Sequence, residues 1–143
     1  MKFRFLYIVF CLSFLGIFNS SPVSAETGKL ADKKSIISGK ALYEKYCLRC
    51  HQKNAVGEAK IPATIRRPGY ITAMPLNEAS HAWHHSDEQL IGNILNGLAR
   101  TKRMPAFKSR MSEKEAGDVV EYIKSLWPSR IVACQGPRHM NCM

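Results

Sequence analysis

Cys47-Leu48-Arg49-Cys50-His51 constrains this chain more than any other stretch, because two thiols and an imidazole close together commit the surrounding fold to a chemistry. Three chemistries use such a pattern. It can be half of a zinc site, a redox-active dithiol, or a covalent anchor for a haem. Each makes different demands on the rest of the chain.

The N-terminus sets the compartment. Lys2 and Arg4 lead into the apolar run Phe5 to Phe18, and Val23 and Ala25 are small residues placed as an export cleavage site requires. The run is shorter than the ~18–20 apolar residues of a membrane-crossing helix. Residues 1–25 therefore read as a secretory signal peptide, with a retained N-terminal anchor as the alternative. The expected location is periplasmic, where disulfides persist.

Lys and Arg number 21 against 11 Asp and Glu, a formal charge of +10. Losing Lys2 and Arg4 with the signal leaves most of that excess, which favours acidic partners or an anionic surface. No basic-aromatic pattern suggests nucleic acid. Membrane contact is expected to be peripheral unless the signal is retained.

The rest reads as all-α. "SIISGKALYEKYC" has Ile36, Ile37, Leu42, Tyr43 and Tyr46 near helical spacing, with Ser35 as the expected N-cap. "SDEQLIGNILNG" carries a Ser86/Gln89 capping box, a stripe of Leu90, Ile91, Ile94 and Leu95, and the stop Asn96-Gly97. "SEKEAGDVVEYIKSLWP" repeats the design with Ser112 and Glu115, and with Val119, Tyr122, Ile123 and Leu126 on one face. Pro128 forbids its continuation. Residues 52–80 show no sustained periodicity, and a loop that long usually wraps something functional.

This setting separates the three chemistries. A structural zinc site needs a second close pair of ligands, and Cys134 and Cys142 stand eight residues apart at the far end of the chain. A thioredoxin-like dithiol belongs between a strand and a helix, and no strand is expected here. Cys47 and Cys50 can instead each add to a haem vinyl group, with His51 as proximal iron ligand. The thioether of Met104, in "RTKRMPAFKS" ahead of the last long helix, is the candidate distal ligand. Met74, also followed by proline, is expected to pack.

Taken together, "GKALYEKYCLRCH", "NGLARTKRMPAF" and "SEKEAGDVVEYIKSLW" resemble the class I monohaem cytochromes c of bacteria, over residues 36–127. The resemblance implies a small helical domain, residues 35–128, wrapped around one covalently attached haem c. Cys47 and Cys50 would carry the thioether bonds, and His51 and Met104 would be the axial ligands. Gly39 and Tyr43 match positions that pack the first helix against the last, where Tyr122 and Leu126 face them. Pro62 matches the proline whose carbonyl accepts from the proximal imidazole, although the usual Gly-Pro pair is missing.

Two clusters lie outside this scheme. His81, His84 and His85 surround Trp83 in "SHAWHHSD". They are expected to be structural, as in W-H-H stretches of one branch of small monohaem cytochromes, with a bis-histidine haem or a second metal as the alternatives. Residues 129–143 form a tail in which a Cys134–Cys142 disulfide is expected. The alternative there is a soft-metal site for copper with His139 and Met140.

The function expected is a periplasmic electron carrier, not an enzyme. Its redox partners would be an oxidase, reductase or dehydrogenase with an acidic docking surface, met by Lys40, Lys45, Lys53, Lys102, Arg103 and Lys108. The alternatives are a ligand-binding, sensing or peroxidase-like monohaem cytochrome with a labile sixth ligand, and a copper-handling protein on the same scaffold.

Overall fold

The computed structural model describes residues 27–30, 32–62, 64–68 and 70–142. The signal-peptide expectation for residues 1–25 lies outside them. Among the described residues the fold is helical, with one isolated bridge between Leu98 and Thr101 and no strand. In chain order it has α1 (Lys33–Tyr46), α2 (Leu48–His51), α3 (Asp87–Asn96), α4 (Glu113–Lys124) and α5 (Ser129–Ala133). Short 3-10 turns occupy Lys53–Ala55, His81–His84 and Gly136–Asn141. No helix among the described residues is long and apolar enough to cross a membrane.

Helix α1 is capped three residues earlier than expected. Asp32, not Ser35, closes its end by accepting from the Ser35 N–H at 3.0 Å, and Ser35 is buried inside the helix. A carboxylate satisfies the free N–H groups as a hydroxyl does, and it also complements the positive end of the helix. Both expected capping boxes are formed, Ser86 with Gln89 on α3 and Ser112 with Glu115 on α4. Gly97 ends α3.

Helix α4 is the central pillar. Ala116, Val119 and Val120 are fully buried, and Tyr122 and Ile123 nearly so. Its other face is also covered, since Asp118, Glu121 and Lys124 are buried. A one-sided stripe does not describe it. Helix α1 crosses α4 at Gly39, where a β-carbon would stand 1.8 Å from the Asp118 carbonyl oxygen. One turn on, the Tyr43 and Tyr122 rings meet with centroids 5.1 Å apart.

The tail belongs to this core. Helix α4 stops before Pro128, as expected, and Pro128 in turn caps α5, whose Ile131 and Val132 are buried. Gln135, fully buried, donates to Asp87 Oδ1 at 2.6 Å and to the His85 carbonyl at 3.1 Å. Asp87 in turn pairs with the fully buried Lys124 at 2.8 Å, as does Glu121 at 2.8 Å. Buried charges of this kind persist only when paired and hydrogen-bonded. Cys134 and Cys142 are joined in a disulfide.

Candidate functional site

The stretch around Tyr46 to His51 and the segment Ile71 to Leu76 build one wall of a cavity. Helix α1 runs into the four-residue α2, so Cys47 caps the second and Cys50 and His51 lie on its single turn. Gln52 then leaves with φ 61°, and Asn54 and Ala55 follow with φ 57° and 55°. Three left-handed residues other than glycine in so short a span carry strain that the surroundings must hold. The Tyr43 hydroxyl donates to the Gln52 carbonyl at 2.8 Å, and the Ala55 carbonyl accepts from Leu76 N–H at 2.8 Å. The Trp127 indole N–H anchors the same segment by donating to the Leu76 carbonyl at 2.8 Å.

These bonds bring Met74 beside the imidazole of His51. His51 Nδ1 lies 3.0 Å from the Met74 carbonyl oxygen. A carbonyl can only accept, so Nδ1 carries the proton and Nε2 keeps the lone pair. Burial pushes the His51 pKa below its ordinary value, with the Met74 bond opposing, and so favours the neutral ring. The residue in this place is Met74 and not Pro62, whose carbonyl is taken by the N–H groups of Ile65 and Arg66 in a turn of its own. Met74 was expected only to pack. Its backbone proves to be the part that matters here.

Met104 reaches the same cavity from the other side. Phe107 and Lys108 N–H groups donate to the Ile94 and Leu95 carbonyls at the end of α3, each at 3.1 Å, and Leu98 N–H donates to the Met104 carbonyl at 3.1 Å. Glycines admit the loops of Met74 and Met104. A β-carbon at Gly57 would lie 2.6 Å from Pro75 N, and one at Gly97 would lie 2.7 Å from the Met104 carbonyl oxygen.

The resulting cavity of about 410 Å³ is bounded by Cys47, Cys50, His51 and Met104 together, with Leu90, Ile94 and Phe107 among its apolar walls. That size falls within the ~300–1,000 Å³ typical of ligand pockets. Two thiols, an imidazole and a thioether are the donors that a c-type haem uses. Burial, then the neighbouring Cys50, pushes the Cys47 thiol up to about 12. An activated redox thiolate needs the opposite shift. The residues present fit a haem.

One pair at this site was not read from the sequence in its proper role. Arg103, expected on a docking surface, turns inward and grips Glu58 with both ends of its guanidinium, each at 2.6 Å. It also donates to the Ile71 carbonyl at 3.0 Å and lies over the Tyr70 ring at 4.3 Å. Hydrogen bonding from Arg103, then from the Ala73 N–H, holds the Glu58 carboxyl down to about 2.

The chain matches the family model described as "Cytochrome C oxidase, cbb3-type, subunit III" over residues 34–123. The chain belongs to this family. It is a c-type cytochrome, and membership carries haem c and an electron-transfer role with it. A curated relative, the "Cbb3-type cytochrome c oxidase subunit CcoP" of Azospirillum sp. (strain B510), is 28% identical over 99 residues. The aligned part is 69% of this chain and 31% of that protein, so the chain spans under a third of the relative's length. No solved structure gives a significant match.

The histidine cluster lies next to this site. His84 stacks on His139 of the tail with centroids 4.4 Å apart, and Trp83 meets His84 edge-on at 4.1 Å. His81 and His85 line the cavity. No group of three or more His, Cys, Asp or Glu among the described residues is arranged to hold a metal ion.

Proposed function

We propose that this protein is a periplasm-facing electron carrier holding one covalently attached haem c, with Cys47 and Cys50 as thioether anchors and His51 and Met104 as axial ligands. The observation that carries this reading is the convergence of all four side chains on one cavity. When bound, the haem supplies an iron that takes up and gives back one electron. The chain does the rest. His51 is held as the tautomer with Nε2 unprotonated by its bond to Met74. The Met104 thioether, as the second protein donor to a bound haem, would favour the ferrous state and raise the potential. Apolar walls keep water from the site, which also raises the potential.

Exposed Lys45, Arg49 and Arg100 stand at the cavity rim, and Lys102 and Lys108 follow in the Met104 loop. They offer a basic surface to an acidic redox partner. The relative's name points to an oxidase complex as the kind of partner. Electron transfer to such a partner would slow as salt rises, because screening weakens the steering.

The test is spectroscopic. The purified protein should keep its haem through denaturing electrophoresis and lose that colour when Cys47 and Cys50 are both replaced by alanine. Its ferric form should show the weak long-wavelength sulfur-to-iron band, absent in Met104→Ala. A wild-type ferric spectrum without that band, unchanged by Met104→Ala, would sink the axial assignment.

A further inference from the structure

We propose that Glu58 is a positioning residue that locks the Met104 loop to the segment holding the His51 acceptor, so that the two sides of the site move as one unit. The inference rests on the His51/Met104 ligation proposed above.

Glu58 makes contacts to both sides. Its Oε1 accepts from Arg103 Nη2 and its Oε2 from Arg103 Nη1, each at 2.6 Å. Arg103 is the residue directly before Met104. The same Oε2 accepts from the Ala73 N–H at 2.8 Å, while the Glu58 N–H donates to the Ala73 carbonyl at 2.9 Å. Ala73 is the residue directly before Met74, whose carbonyl takes the His51 proton. Gly57, directly before Glu58, donates its N–H to the His51 carbonyl at 2.9 Å. One carboxylate thus lies within one residue of three contact points: the Met104 loop, the imidazole acceptor and the backbone of His51 itself.

The pair is built for rigidity. The side chains of Arg103 and Glu58 are 29% and 21% exposed, so water competes with the fork only in part. A two-pronged guanidinium–carboxylate contact fixes direction as well as distance. The Tyr70 ring and the Ile71 carbonyl occupy the other sides of the guanidinium.

This arrangement has a specific consequence. A thioether is a weak ligand that an outside base displaces by lifting its loop. The apparent affinity of such a base scales with the fraction of molecules whose loop is open. Loosening the clamp raises that fraction even where the helices stay intact.

Imidazole titration of the ferric holoprotein tests the proposal, with wild type, Glu58→Ala, Glu58→Gln and Arg103→Lys compared by absorbance, and with far-UV circular dichroism melts alongside. Glu58→Ala should bind imidazole about tenfold more tightly or better, the lower part of the ~10–100-fold range for outer-shell partners of a metal ligand. Arg103→Lys should shift the same way, because an ammonium cannot reproduce the fork. Glu58→Gln keeps an acceptor for Ala73 and should fall between. A purely structural role would lower the melting temperature and leave imidazole affinity unchanged. Affinities within about twofold of wild type in the variants that fold would therefore overturn the proposal, and if Glu58→Ala does not accumulate, Glu58→Gln and Arg103→Lys decide it. Failure of the underlying ligation shows separately: a wild-type protein without the sulfur-to-iron band overturns both, before any variant is made.

Discussion

Gly39 and Asp118 meet backbone to backbone, so closely that a β-carbon on Gly39 would stand 1.8 Å from the Asp118 carbonyl oxygen and 2.4 Å from its carbon. No rotamer change relieves a clash with backbone. Gly39→Ala should push α1 and α4 apart and separate the Tyr43 and Tyr122 rings. The expected cost is at least the ~1–3 kcal/mol of an overpacked core. Denaturant unfolding of the holoprotein checks it, and a loss below about 0.5 kcal/mol would mean that the helices can slide.

Gly97 supports a different outcome. It combines φ 71° with contact to the Met104 carbonyl, so Gly97→Ala strains the turn and displaces the Met104 loop together. The sulfur-to-iron band should weaken or vanish, with a stability loss of about 1–3 kcal/mol. An unaltered ferric spectrum would show that the Met104 loop does not depend on this turn.

Lys124 sits between Asp87 and Glu121 with none of its side chain exposed. Lys124→Met preserves most of the volume and removes the cation that both buried carboxylates share. Breaking a buried pair from one side costs about 3–5 kcal/mol, and the variant should lose that much by denaturant unfolding. A variant as stable as wild type would show that other partners hold the carboxylates.

His84 gives a pH dependence with a defined sign. Burial, then His139, His81 and His85, lowers its pKa from the ordinary 6.5. The unfolded chain therefore takes up the proton first as pH falls. The stability due to neutral His84 is complete above about 6.5 and is lost as pH drops from there through the lower folded value. Comparing wild type with His84→Gln at about pH 8 and about pH 5 isolates it: the variant should lose less stability on acidification. Equal losses in both would remove His84 from the acid response.

The sequence made the local structure plain and the long-range polar contacts hard to see. Capping boxes lie within four residues, so Ser86/Gln89 and Ser112/Glu115 could be read directly. The CLRCH spacing likewise carries its chemistry in five residues. Arg103 and Glu58 are 45 residues apart, and nothing in a string of letters tells an inward arginine from one facing solvent. The same holds for Lys124 and Gln135, whose shared partner Asp87 lies 37 and 48 residues away. Proline misled once. Pro62 drew attention as an acceptor that Met74 supplies, whereas Pro128 does follow the end of α4 and also caps α5.

Gln135 carries a practical consequence for anyone trimming this chain. The family match ends at residue 123, yet the amide that completes the Asp87 and Lys124 pairing lies twelve residues further on. A fragment cut at the edge of the match would expose Asp87 at the start of α3, and with it the helix whose far end holds the Met104 loop. Fusions and minimal versions should therefore place their joint after Cys142, treating the last residues as the keystone of the domain rather than as its fringe.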